Sequence, residues 1–314
     1  MIGHEAARTA WHEALAGARL HHAWLLTGRK GLGKAAFARQ AARELVGARQ
    51  GSGDHPDILH LTHAPKDDKE ERKRADGKPF ELARSIRISQ VRAMQQRLTT
   101  RPTLGDRRAI IIDPADDLER NAANALLKSL EEPPAGTIFF LVCHRPARLL
   151  PTIRSRCRSL RFPEVAEPEL ARLLTDLAPH ADAATREAAI AAAGGSPGAA
   201  LAFVEMDLGR IAGMMRTIAQ QGDSDFRLRG ALAEAIGARP DRERVQAVLD
   251  LARAIVADGA AHGQDDPRPL IDAHGELVRL TAEAPTYNYD PGLLAMEIGT
   301  LLASVAASST RRNG

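Results

Sequence analysis

Gly28-Arg29-Lys30-Gly31-Leu32-Gly33-Lys34 matches the phosphate-binding pattern G-x-x-x-x-G-K. The flanking residues supply the context that this pattern needs. His22-Ala23-Trp24-Leu25-Leu26-Thr27 precedes it as an apolar run and reads as a buried strand. Residues 35–46 follow with helical spacing that puts Phe37, Ala41 and Leu45 on one face. In such a loop, glycines let backbone N–H groups converge on a phosphate, and the helix N-terminus adds partial positive charge. Gly28, Gly31 and Gly33 would form the cradle, and Lys34 would meet the outer phosphates.

The pattern is incomplete where the chemistry is most demanding. It should end in Ser or Thr, whose hydroxyl holds Mg²⁺, but the residue is Ala35. The second half of a nucleotide site is expected at the end of a later strand, 108–113, where Asp113 closes the run Ala109-Ile110-Ile111-Ile112. The neighbour of that aspartate should be a carboxylate that activates water. Here it is Pro114, which can neither accept a proton nor orient a water. Asp116 and Asp117 are expected to cap or start the next helix. Three readings of the loop stay open: a tight strand-to-helix turn and nothing more, ATP or ADP bound without turnover, or a working ATPase.

Further strands are expected at 57–61, 137–143 and 159–162, and helices at 89–99, with Ser89 as N-cap, and at 121–132, stopped by Pro133 and Pro134. Strands alternating with helices predict a doubly wound, mostly parallel sheet covered on both faces. From about residue 163 the strand-like runs give way to alanine- and leucine-rich helical patterns, including 167–177 and a helix at 182–193 capped by Asp182. The segment Gly194-Gly195-Ser196-Pro197-Gly198 is a break. The expected plan is an α/β domain over 1–162, a small helical lid over 163–205 and a helical C-terminal domain over 206–314. Residues 66–78 (KDDKEERKRADGK) are almost all charged and are expected as a solvated loop.

The chain has 314 residues and a formal charge of +3, so total charge argues only weakly for nucleic acid. Aromatics at 4% disfavour a base-stacking single-strand binder. No apolar run reaches the roughly 18–20 residues of a membrane span, and residues 1–19 lack the apolar core of a signal peptide. Two cysteines without framework spacing, Cys143 and Cys157, point to a reducing, cytoplasmic setting. Cys143 is expected as a small buried hydrophobe.

Pro151-Thr152-Ile153-Arg154-Ser155-Arg156-Cys157-Arg158 places arginines near the ligand end of the expected sheet, and Arg161 adds another. An arginine so placed can reach a γ-phosphate held by a neighbouring subunit. Such a residue is worth roughly 10³–10⁵ in turnover. Arg92, Arg97, Arg101, Arg107 and Arg108 could track DNA phosphates or be ordinary surface charges.

The string Asn121-Ala122-Ala123-Asn124-Ala125-Leu126-Leu127-Lys128-Ser129-Leu130-Glu131-Glu132-Pro133-Pro134, followed by Phe139-Phe140-Leu141-Val142 and Ser155-Arg156-Cys157, closely resembles bacterial clamp-loader subunits of the AAA+ class. The resemblance is strong over residues 20–162, weaker at 194–201, and beyond that rests on helical character alone. It implies an AAA+ domain, then a lid, then a C-terminal collar domain. Motor subunits of this family, gamma or tau, keep the complete phosphate loop and an acidic second motif; delta keeps neither the loop nor a good S-R-C. This chain mixes a broken loop with an intact S-R-C and is similar to the non-hydrolysing kind. The resemblance implies that Arg156 acts in trans on ATP held by gamma or tau. It also implies gamma or tau, delta, the beta sliding clamp and primed DNA as partners, and a place at the replisome. Active relatives carry a nucleotide-sensing arginine where this chain has Gly198. Many relatives carry a four-cysteine zinc module where residues 47–53 (GARQGSG) have no cysteine, so no zinc is expected. His55, His60 and His63 lie nearby without cysteine partners or fixed spacing. The competing readings are an active ATPase of the same fold and an inert-fold DNA-binding scaffold.

Overall fold

Parallel strands are stable when both faces are covered, and the central strands here are apolar on both. A computed structural model of the chain describes residues 3–17, 19–48, 54–261, 267–284, 287 and 289–310. They form two compact units, 1–164 and 165–314.

The first unit runs α1 (Glu5–Ala16), β1 (Ala23–Thr27), α2 (Lys34–Val46), β2 (Ile58–Leu61), α3 (Asp68–Ala75), α4 (Ile88–Leu98), β3 (Arg108–Ile112), α5 (Arg120–Glu131), β4 (Thr137–Cys143), α6 (Pro151–Arg154) and β5 (Arg158–Arg161). The five strands are parallel in the order β2-β3-β4-β1-β5. Alternate residues serve opposite faces, as the pleat requires. Leu25, Ile110, Ile112, Phe139 and Leu141 share a core with Val91 and Met94 of α4 and Leu126 and Leu130 of α5. Trp24, Leu26, Ile111, Phe140 and Val142 share the other with Trp11 of α1 and Phe37, Ala41 and Leu45 of α2. This is the doubly wound sheet expected from the alternation of strands and helices.

Three local expectations need correction. Residues 66–78 contain α3 rather than a loop. Asp67 accepts from the N–H groups of Lys69 and Glu70 at 3.0 Å each, which caps the helix. Glu70, only 6% exposed, pairs with the Lys73 ammonium at 2.7 Å and accepts the Glu81 N–H at 2.8 Å. Those bonds tie the helix to the returning chain, where Leu82 bridges Pro65. In α4 the N-cap is Arg87, not Ser89; the Gln90 side chain accepts the Arg87 N–H at 3.0 Å. Asp116 and Asp117 do not cap α5. They end a short 3₁₀ turn, Ala115–Asp117, and bond elsewhere.

The second unit is helical among its described residues: α7 (Glu167–Leu177), α8 (Ala183–Ala193), α9 (Pro197–Glu205), α10 (Gly209–Gln221), α11 (Arg227–Ile236), α12 (Arg242–Ala261), α13 (Arg268–Glu283) and α14 (Pro291–Thr310). Asp182 caps α8 through the Thr185 N–H at 2.7 Å. One core, including Leu174, Phe203, Met215, Leu232, Leu249, Leu277 and Leu302, runs through the unit. The boundary expected at 205/206 falls between α9 and α10, whose residues enter that same core. None of the unit's helices is long and apolar enough to cross a membrane, and the same holds throughout the described residues.

Candidate functional site

In an open parallel α/β sheet, ligands bind beyond the carboxyl ends of the strands. The loop 28–33 lies there, between β1 and α2. Gly31 and Gly33 are left-handed, with φ of 84° and 80°. At Gly28 (φ 149°) an added Cβ would stand 2.4 Å from the Phe162 carbonyl oxygen. The first glycine is therefore required by the close approach of β1's end to the chain leaving β5, whether or not a phosphate is present.

Lys34 does not extend toward solvent. It is 2% exposed, and its ammonium donates to the Gly28 carbonyl at 2.6 Å and the Arg29 carbonyl at 2.5 Å. The cation that would meet a phosphate is bonded to its own loop. Burial pushes its pKa down to about 8, against the pull of the acidic Asp113 and Asp116 nearby. Ala35 stands in the first turn of α2, where a magnesium-binding hydroxyl would be needed. The loop therefore offers no hydroxyl to hold magnesium beside a phosphate.

Of the acidic groups after β3, Asp116 and Asp117 are engaged within the fold. Asp113 follows β3 and donates its N–H to the Leu61 carbonyl at 2.9 Å. Burial raises its carboxyl pKa, opposed by Arg39 and Lys34. Pro114 follows it and offers no proton acceptor beside that carboxylate. Asp116, 6% exposed, accepts the N–H groups of His144 at 2.8 Å and Arg145 at 3.1 Å, and so holds the turn after β4. Asp117 pairs with His63 at 3.3 Å and Arg145 at 3.2 Å. Burial and the Lys34 charge lower His144 to about 4. Cys143 is fully buried, its thiol pushed up to about 12 by burial. Gly198 lies in the first turn of α9, in the second unit, and has no side chain to offer a phosphate.

Among the four arginines around S-R-C, Arg158 lies over the Trp24 ring at 5.0 Å, and Arg154 reaches the Pro146 carbonyl at 3.4 Å. Arg161 is exposed. Arg156 is 36% exposed and donates to the Glu131 carboxylate at 2.7 Å and the Thr152 carbonyl at 3.0 Å. Sequence spacing gave no sign of the Glu131 contact, which joins residues 25 positions apart by α5 ending beside α6.

The arginines considered for DNA divide. Arg108 is 4% exposed and donates to the carbonyls of Arg97, Thr100 and Arg101, near the buried Asp57. It closes the turn after α4 and is withdrawn from any phosphate. Arg92, Arg101 and Arg107 are exposed, and Arg97 donates to the Pro56 carbonyl at 3.2 Å. Of the stretch considered for zinc, residues 49–53 lie outside the described residues. Among the described residues no cluster of three or more His, Cys, Asp or Glu is placed to hold a metal ion.

The family described as DNA polymerase III, delta subunit, matches residues 3–166, more than half of the chain. The chain belongs to this DNA polymerase III delta-subunit family. Among its relatives, the DNA polymerase III subunit delta' of Pseudomonas aeruginosa is 34% identical over 202 residues, 60% of this chain and 57% of that protein. The subunit delta' of Bacillus subtilis is 34% identical over 180 residues, 52% of this chain and 49% of that protein. The chain thus spans about half the length of the curated relatives it matches. A DNA polymerase III gamma subunit-related protein from Thermotoga maritima has the same fold, with a TM-score of 0.52 at 16% identity over 96% of this chain and 99% of that one. The expected plan of a parallel α/β domain followed by helices is the fold present here.

Two measurements probe the loop. Gly28→Ala should lower unfolding stability in urea by about 2–4 kcal/mol without any nucleotide, because the clash is with backbone; unchanged stability would mean the glycine serves only a ligand. Lys34 should also carry a pH signature. Its pKa is about 8 when folded against an ordinary 10.5, so between those values the unfolded chain binds more protons. The stability of the protein relative to Lys34→Met should be flat below about pH 8 and rise in the wild type's favour from there to about 10.5. A fall over that window would contradict a buried, desolvated ammonium.

Proposed function

We propose that this chain is the non-hydrolysing delta' type of subunit in a bacterial DNA polymerase III clamp loader, donating Arg156 in trans to an ATP site on an adjacent gamma or tau subunit. The observation that carries this reading is a contrast between two cations. Lys34 is buried and bonded to its own loop, whereas Arg156 stands at the surface with N–H groups to spare. The missing hydroxyl at Ala35 and the proline at 114 support the same reading, and so do the names of the Pseudomonas and Bacillus relatives.

The chemistry follows from charge. Phosphoryl transfer spreads negative charge over the γ-phosphate oxygens, and a guanidinium fixed opposite them stabilises that state more than the ground state. In this reading the chain needs neither zinc nor a nucleotide of its own. Its helical unit supplies a lid and a collar domain that joins gamma or tau and delta. The assembly opens the beta sliding clamp and places it on primed DNA, touching the DNA through its backbone, in the cytoplasm at the replisome.

With gamma or tau and delta added, Arg156→Ala should still co-elute in the assembled complex but lower ATP turnover by at least about tenfold. The chain alone should show no magnesium-dependent turnover. Full assembly with undiminished turnover would contradict the role of Arg156, and steady hydrolysis by the isolated chain would favour the active-ATPase reading.

A further inference from the structure

The Glu-Glu-Pro-Pro segment at 131–134 is part of the string that marks the family, yet the reading above gives it no task. Pro133 and Pro134 cannot extend a helix, so α5 stops at Glu131 and this carboxylate becomes its last helical side chain. The adjoining Leu130 is 1% exposed and packs in the same core as Ile153 of α6, itself fully buried. The end of α5 and the turn carrying Arg156 are thus fixed against each other from beneath. On the surface above that anchor, Glu131 meets Arg156 at 2.7 Å.

We propose that Glu131 is a positioning residue for Arg156. The Thr152 carbonyl holds one end of the guanidinium at 3.0 Å and the Glu131 carboxylate holds the other. A guanidinium carries five N–H donors, so most of them stay available to a further acceptor. The long arginine side chain is thereby held in one pose before it meets a phosphate, and less rotamer freedom remains to be lost at that moment. The ion pair is half-exposed, with the two side chains 36% and 49% accessible, so it is weak enough to share the cation with a phosphate and does not lock it away. This inference rests on Arg156 acting in trans, and the test separates the two.

ATP turnover is measured in the complex assembled with gamma or tau and delta, as a function of ATP concentration. Glu131→Ala should lower kcat about fivefold with KM for ATP unchanged, the size of a half-exposed ion pair acting only on the transition state. Glu131→Gln keeps an oxygen that accepts an N–H and should retain most of the rate. In an Arg156→Ala background, Glu131→Ala should remove nothing further. Wild-type or faster turnover in both Glu131 variants, or a loss that adds to that of Arg156→Ala, would overturn the proposal while leaving the trans role of Arg156 standing. Unchanged turnover in Arg156→Ala alone would remove the trans role and this proposal with it.

Discussion

A buried ammonium must be satisfied, and at Lys34 the acceptors come from the loop that would otherwise hold a phosphate. That bond pair closes the turn between β1 and α2 from within. The turn is pressed from the other side by the chain leaving β5, where the Phe162 carbonyl leaves no room for a Cβ on Gly28. Packing alone is sufficient reason for a glycine at position 28. The loop keeps α2 on the sheet, where Phe37, Ala41 and Leu45 complete one of the two cores.

With that loop satisfied internally, the polar groups beside it also serve the fold. Asp116 ties down the turn after β4, and Asp117 gathers His63 and Arg145. The cations that remain at the surface gain importance by contrast. Arg156 follows a four-residue helix whose Ile153 is fully buried, and its own side chain stays 36% accessible.

Much of this was legible in the residues. The central strands β1, β3 and β4 carry apolar runs that need cover on both faces, and their spacing with helical stretches permits little but a doubly wound sheet. The Asn121-to-Pro134 string marked the family that the match over residues 3–166 then showed. The misses share one cause: polar side chains whose partners are set by folding. Residues 66–78 looked too charged to be ordered, but Asp67 and Glu70 supply caps and ties that composition does not display. Arg108 counted as a surface cation until its guanidinium was seen spent on three carbonyls. Ser89 and Asp116 have the right type for helix caps, but Gln90 meets the start of α4 and Asp116 is engaged by the turn after β4. The contact between Glu131 and Arg156 exists only because two helices end side by side.

The central claim is that the phosphate loop is occupied by its own lysine. The direct test is a magnesium-ATP titration of the isolated, ¹⁵N-labelled chain, following the backbone amides of residues 28–35. The account predicts that these resonances do not move in a saturable way at any accessible nucleotide concentration. Saturable shifts centred on Gly31, Gly33 and Lys34 would show the lysine leaving its carbonyls for a phosphate and would contradict it.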